Sequence, residues 1–175
     1  MLGADADEVA PQLLGMVLTT RVDGEVTSMV ITETEAYLPD DPASHTYRGQ
    51  TPRNAPMFGR PGSVYVYRSY GIHWCVNLVT GPAGSGQAVL IRAGEAIEGL
   101  ETMTRRRGRS DHLLDGPGKL CQAMGIDGSF SGTVLGERLD LDGTPGTRAW
   151  SATPRVGIRV AREARMRFVA SGLAG

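Results

Sequence analysis

Two carboxylates and a phenol stand at alternate positions in the run Ile31-Thr32-Glu33-Thr34-Glu35-Ala36-Tyr37. In an extended chain successive side chains point to opposite faces, so Met29, Ile31, Glu33, Glu35 and Tyr37 are expected on one side of a strand. A row that begins apolar and ends acidic is costly to bury unless the carboxylates are partnered or that strand end opens into a cleft. In a cleft such a carboxylate can serve as a general base toward water. From this segment alone, an edge strand with a solvated outer face is the commoner account. The other residues with chemical reach are His45, Tyr65, Tyr67, Tyr70, Asn77 and Arg92.

Other chemistries are thinly supplied. The three histidines, His45, His73 and His112, show no metal-ligand spacing, and no GxSxG elbow supports a Ser-His-Asp arrangement. Of the 18 basic residues only Lys119 is a lysine, so amine-based covalent catalysis has few candidates beyond it and the N-terminal amine. The run Gly116-Pro117-Gly118-Lys119 lacks phosphate-loop spacing, yet as a helix N-terminus it suits contact with one phosphate.

The elements that must position these residues follow from turn and cap signals. Asp5 or Asp7 can cap a short helix that Gly15 closes. A strand from Met16 to Arg21 turns at Asp23-Gly24 into the strand Val26 to Tyr37. Residues 38 to 62 hold five prolines and read as a long loop, which in a compact domain is usually functional or disordered; His45, Arg53 and Asn54 favour function. Strands Ser63 to Ser69 and Ile72 to Val79 alternate Val64 and Val66 against Tyr65 and Tyr67, and Ile72, Trp74, Val76 and Leu78 against His73, Cys75 and Asn77. Only Tyr70-Gly71 joins them, a two-residue hairpin connection. A tyrosine at a hairpin tip either folds back on the sheet or enters something else. Ala88 to Ala93 is a strand with Leu90 and Arg92 on one face. Helices are expected over Glu95 to Arg107 and from Pro117 to Gly125, then short strands near Val134, Leu139, Arg155 to Val160 and Arg165 to Val169.

Length and composition bound the rest. A chain of 175 residues with 24 glycines and 10 prolines predicts one loop-rich mixed α/β (α+β) domain, residues 1–175. Residues 1–100 carry 6 Arg and 11 Asp or Glu, a balance of −5; residues 101–175 carry 11 Arg, 1 Lys and 8 Asp or Glu, a balance of +4. The basic half can hold a polyanion, although a solvated surface gives the same count. Cys75 and Cys121 lie far apart without a CxxC and read as reduced, buried thiols of a cytosolic protein. No apolar run is long enough for a membrane span, so no membrane partner is expected.

A set of motifs in one order resembles the alkyladenine (3-methyladenine) DNA glycosylase family in its compact bacterial form. These are Glu33-Thr34-Glu35-Ala36-Tyr37, His45, Thr51-Pro52-Arg53-Asn54 with Met57-Phe58, Tyr65-Val66-Tyr67 with Tyr70-Gly71 and Asn77, Leu90-Ile91-Arg92-Ala93, Gly116-Pro117 with Lys119-Leu120-Cys121-Gln122-Ala123, and Pro154-Arg155-Val156-Gly157-Ile158. The resemblance implies a single domain with a curved antiparallel β-sheet, a protruding β-hairpin and flanking helices, like the C-terminal domain of formyltransferases. It implies a monofunctional DNA repair enzyme that hydrolyses the N-glycosidic bond of alkylated or deaminated purines, of the 3-methyladenine or hypoxanthine type, with no cofactor, no metal and no lyase step.

Residue by residue, Glu35 matches the family's general base and Arg92 a residue that helps hold the attacking water. Tyr37, His45 and Tyr67 match the enclosure of a flipped base, Asn77 a residue that discourages guanine, and Tyr70 an intercalating tyrosine. Arg53, Gly118 and Lys119 are candidates for the DNA backbone. The implied partner is damaged double-stranded DNA, with a monomer expected in a bacterial cytoplasm at the nucleoid. Two rivals share the motifs or the scaffold, a non-catalytic binder of damaged DNA and a small-molecule hydrolase that handles formyl groups. A tyrosine exposed at the hairpin tip favours DNA over a small molecule.

Overall fold

The computed structural model describes residues 1–172. Its core is an eight-stranded antiparallel sheet built around one long strand. Strands β1 (Val17–Val22) and β2 (Glu25–Tyr37) form the first hairpin, β3 (Val64–Ser69) and β4 (His73–Thr80) the second, and β5 (Gln87–Glu98) lies between β4 and β2. The edges are completed by β6 (Leu139–Asp142) on β1 and by β8 (Arg167–Ala170), which pairs with both β2 and β7 (Trp150–Thr153). On its second edge β2 is served by β1 over Glu25 to Val30 and by β8 over Glu33 to Glu35. The sheet is therefore re-ordered where the acidic residues stand. Helices α1 (Ala6–Gln12), α2 (Leu100–Arg107) and α3 (Pro117–Met124) cover one face.

The Asp23-Gly24 turn has positive φ at both residues, 54° and 77°, the backbone twist that a tight hairpin needs. Helix α3 starts on Pro117 and stops at Gly125, whose φ is 70°, following the proline-first, glycine-last rule of helix ends. The predicted helix over Glu95 to Arg107 is corrected. Residues 95–98 continue β5 opposite Ser28 to Val30, and the helix begins only at Leu100. Pairing along a 13-residue strand outweighs the helical preference of Glu95, Ala96 and Glu98. Gly94 allows the close approach, since a Cβ there would stand 2.6 Å from Met29 Sδ and 2.7 Å from the Val30 carbonyl. The predicted strand over Arg155 to Val160 is also absent: β7 ends at Thr153 and the following residues form an irregular loop.

One face of the sheet packs Met29, Ile31, Val64, Val66, Val76, Leu78, Val89 and Ile91 against Met103, Leu120, Cys121 and Met124 of the helices. The opposite face carries a smaller cluster of Met57, Tyr65, Val79 and Ala88, bordered by Phe58 and Tyr67. Cys75 and Cys121 are free and buried, as expected. Among the described residues no helix is long and apolar enough to cross a membrane.

The strand phase of β2 differs from simple alternation. Ile31 pairs with Gly94 and Glu33 with Ala93, so Thr32 is extra on β2; Thr34 then pairs with Ile91, which makes Arg92 extra on β5. Each bulge shifts the side-chain parity of its strand. Met29, Ile31 and Ala36 consequently belong to the helix-covered core, and Thr34 donates from Oγ1 to the Ala10 carbonyl of α1 at 2.9 Å. Glu33, Glu35 and Tyr37 turn to the other side. They do share a face, but not with Met29 and Ile31.

Candidate active site

The face opposite the helices opens into a cavity of about 500 Å³, within the range usual for small-molecule and nucleobase sites. Its walls include Glu35 and Tyr37 from β2, His45 and Arg53 from the long loop, Tyr65 and Tyr67 from β3, Cys75 and Asn77 from β4, Arg92 from β5, and residues 156–160. Tyr70 stands at its rim. Every proposed catalytic and base-pocket residue, Glu35, Arg92, Tyr37, His45, Tyr67 and Asn77, thus lines one space.

Glu35 is fully buried and held by two hydrogen bonds and an ion pair. Tyr37 donates its hydroxyl to Oε2 at 2.8 Å, the Val156 amide donates to Oε1 at 2.9 Å, and Arg92 brings Nη1 to 3.3 Å from Oε1. A solvated edge strand is therefore excluded as the account of this segment. Glu33 is part-buried and accepts at Oε1 from Arg92 Nε at 2.7 Å and from Arg167 Nε at 2.6 Å. Burial alone would push its carboxyl up, but the hydrogen bonds from Arg167 and Arg92 outweigh this and hold it below the usual carboxylate range.

The aromatic wall is neutral. His45 lies edge-on to Tyr67, with ring centroids 4.5 Å apart, and its Nδ1 is 3.0 Å from the Tyr65 hydroxyl. Tyr65 and Tyr67 stack with centroids 5.7 Å apart. Burial first, then the Arg53 charge, lowers the His45 pKa below its ordinary value. Tyr65 is pushed up to about 12 chiefly by burial. Tyr37 and Tyr67 are raised further, by burial and then by the Glu35 charge beside Tyr37 and the Cys75 thiol beside Tyr67. Asn77 is buried, and its Nδ2 donates to the carbonyls of Tyr65 at 3.1 Å and Cys75 at 3.4 Å, which fixes the amide orientation.

The loop of residues 38–62 is ordered by its own polar network. Asn54 donates from Nδ2 to the His45 carbonyl at 2.8 Å and to the Gly49 carbonyl at 3.1 Å, and accepts at Oδ1 from the Thr51 amide at 2.6 Å. Arg155 ties the loop to the residues that follow β7. It is buried, pairs with Asp41, donates to the Ala36 carbonyl at 3.0 Å, and places its guanidinium 4.7 Å from the centre of the Tyr37 ring. The arginines of 155–167 are thus not all surface charges: Arg155 is a buried anchor and Arg167 is bound to Glu33.

At the hairpin tip Tyr70 has φ of 49° and is 81% exposed. The ring does not fold back. The paired residues are Ser69 and His73, so the connection is the three-residue loop Tyr70-Gly71-Ile72 rather than two residues. Ile72, expected to share a face with Trp74, is 66% exposed beside the tyrosine. The base of the hairpin packs on α3, where a Cβ on Gly118 would lie 2.8 Å from His73 Cβ.

Arg53 lies at the cavity mouth and donates from Nη2 to the Arg68 carbonyl at 3.1 Å. Gly118 and Lys119 lie outside the cavity, to which α3 contributes Pro117. Lys119 pairs with Asp115 at 2.8 Å, and hydrogen bonds from Lys119 and His112 hold Asp115 down to about 2. Among the described residues no group of three or more His, Cys, Asp or Glu could hold a metal ion.

The family model described as methylpurine-DNA glycosylase matches residues 1–174. The chain belongs to the methylpurine-DNA glycosylase family. A protein of Rhodopseudomonas palustris strain BisB18, provisionally named 3-methyladenine DNA glycosylase, is 49% identical over 92% of this chain and 80% of its own length. Relatives with the same provisional name in Burkholderia orbicola strain MC0-3 and Nitrosospira multiformis are 47% and 46% identical, over 95% and 98% of this chain and 84% and 87% of theirs. The α+β architecture with its antiparallel sheet and three helices agrees with this family, and the chain is a DNA glycosylase.

Within this glycosylase the roles of four residues in or around the site, of which only Val156 lines the cavity, were not legible in the sequence. The Val156 amide acts through the backbone, so its residue type carries no signal. Asp41 and Arg155 are far apart in sequence, and only the fold pairs them. Ile72 is expected as the first residue of the strand, in phase with Trp74, and the extra hairpin residue puts it in the loop instead.

Proposed function

We propose that this glycosylase rotates an alkylated or deaminated purine of duplex DNA into the cavity and hydrolyses its N-glycosidic bond with a water activated by Glu35. The observation that carries the reading is the way Glu35 is held in the cavity wall. A carboxylate offers about four acceptor positions; Tyr37 and Val156 take two and Arg92 pairs with it at 3.3 Å, so the group is held in place with acceptor capacity left for a water. The water oxygen bonds to the sugar C1′, its proton passes to Glu35, and the C1′–N bond breaks with its electron pair leaving on the base. The product is an abasic site. As the bond stretches the sugar gains oxocarbenium character, which the Glu35 charge stabilises, while Arg92 helps hold the water.

A purine made cationic by alkylation departs as a neutral base and needs little protonation. The neutral faces of Tyr37, Tyr67 and the uncharged His45 suit such a cation, and Asn77 contributes to discrimination against guanine. A base inside the stack is unreachable, and flipping costs a few kcal/mol. Tyr70 offsets part of that cost by filling the vacated place in the stack. In this reading Arg53 and the start of α3 at Gly118 and Lys119 hold backbone phosphates. Incubation with duplexes bearing a 3-methyladenine-like base, hypoxanthine or ethenoadenine, followed by alkaline cleavage at abasic sites, tests this function. Strand cleavage at the lesion is expected; binding without cleavage on every duplex would identify a non-catalytic damage binder instead.

A further inference from the structure

Glu33 does not line the cavity, so it cannot touch a base seated there, yet it accepts the Nε–H of two arginines on one oxygen. We propose that Glu33 is a positioning residue that turns Arg92 away from Glu35 and so keeps acceptor capacity of Glu35 for water. This rests on the reading of Glu35 as the base.

The geometry follows from the paired bulges. Because Arg92 is the extra residue of β5 and Thr32 that of β2, Glu33, Glu35 and Arg92 converge on one side of the sheet. Strand β8 then adds Arg167, whose register partner is Glu35 but whose Nε bonds Glu33 at 2.6 Å. Two cations face two carboxylates, and Glu33 takes the Nε of both. With Nε committed to Glu33, Arg92 approaches Glu35 through Nη1 at 3.3 Å, an ion pair longer than a strong charge-assisted bond. An arginine freed from Glu33 has Glu35 as its remaining acidic neighbour, and the planar guanidinium favours two parallel bonds to a carboxylate. Hydrogen bonds from Arg92 would occupy the acceptor positions that the water needs. The Glu35 charge already acts on Arg167, so removing Glu33 leaves two cations competing for one carboxylate.

The test is a double-mutant cycle in the full-length protein, measured as single-turnover excision with enzyme in excess, beside lesion-duplex affinity and thermal stability. Glu33→Gln is expected to slow excision about tenfold or more with affinity changed less than about twofold. Arg167→Gln leaves Glu33 to Arg92 and is expected to cost less than about threefold. The double variant removes one surplus cation together with the anion and is expected to be faster than Glu33→Gln alone, which a merely structural role would not produce. A double variant as slow as the product of the single losses, or a Glu33→Gln enzyme that excises at the parent rate, overturns the proposal. Should Glu33→Gln not fold, Glu33→Asp replaces it: the charge is kept but the carboxylate is drawn back from Nε, and an unchanged rate again overturns the proposal. Glu35→Gln measured in parallel separates the two readings. If that variant is inactive and Glu33→Gln is not slowed, only the positioning role fails; if Glu35→Gln excises normally, the base assignment itself fails.

Discussion

Truncation of the hairpin tyrosine, Tyr70→Ala, separates DNA binding from folding. The ring is 81% exposed, so removing it leaves no cavity in the core, and a surface change of this kind alters stability by less than about 0.5 kcal/mol. The positive φ of 49° at this position is no harder for alanine than for tyrosine. In the complex, by contrast, an aromatic ring stacked on bases is worth about 1–3 kcal/mol. At about 1.4 kcal/mol per tenfold, lesion-duplex affinity should fall about 5- to 150-fold. Fluorescence anisotropy on lesion and undamaged duplexes of the same sequence, with thermal melting as control, measures both effects. The loss should be larger on the lesion duplex, where the base is flipped. Equal affinities of Tyr70→Ala and the parent for lesion DNA, at equal melting temperature, would refute the wedge argument. If Tyr70→Ala melts well below the parent, the premise of an unpacked ring is wrong.

Further expectations follow from the buried network. Asp41→Asn strips the counter-charge from Arg155, whose side chain is fully buried. Breaking such a pair costs about 3–5 kcal/mol, which for a domain of this size is a melting-temperature drop of about 6–20 °C. Because burial holds the His45 pKa below the ordinary histidine value of about 6.5, the unfolded chain binds the proton first as pH falls. Stability should therefore decline from about pH 6.5 downward through the lowered folded pKa, and His45→Gln should show a flatter melting-temperature profile between pH 7.5 and 5. Lys119 is engaged by Asp115 and lies outside the cavity, so borohydride should trap no covalent protein–DNA adduct; a trapped band would contradict the absence of a lyase step.

Much of the cavity was legible because strand alternation needs only local information. Tyr65 and Tyr67 against Val64 and Val66, Cys75 and Asn77 against Val76 and Leu78, and Leu90 with Arg92 all fall as their parity predicts. The order of motifs pointed to the family before any geometry. What escaped is set by long-range pairing. The bulges at Thr32 and Arg92 exist only because β2 and β5 meet in that register, and nothing in either segment marks them. For the same reason the helical composition of residues 95–98 misled, since a long partner strand claims them. The Asp41–Arg155 pair and the Val156 amide join segments more than a hundred residues apart. Glu35 was thus found by its pattern, whereas its partners were found by the fold.

The proposed chemistry turns on Glu35 as the group that activates water. Single-turnover excision by Glu35→Gln on a lesion duplex tests this most directly, because glutamine keeps the shape of the side chain and removes its basicity. The rate should fall by about 10²- to 10⁴-fold or more, with damaged-DNA binding still measurable. Excision at the parent rate would contradict it.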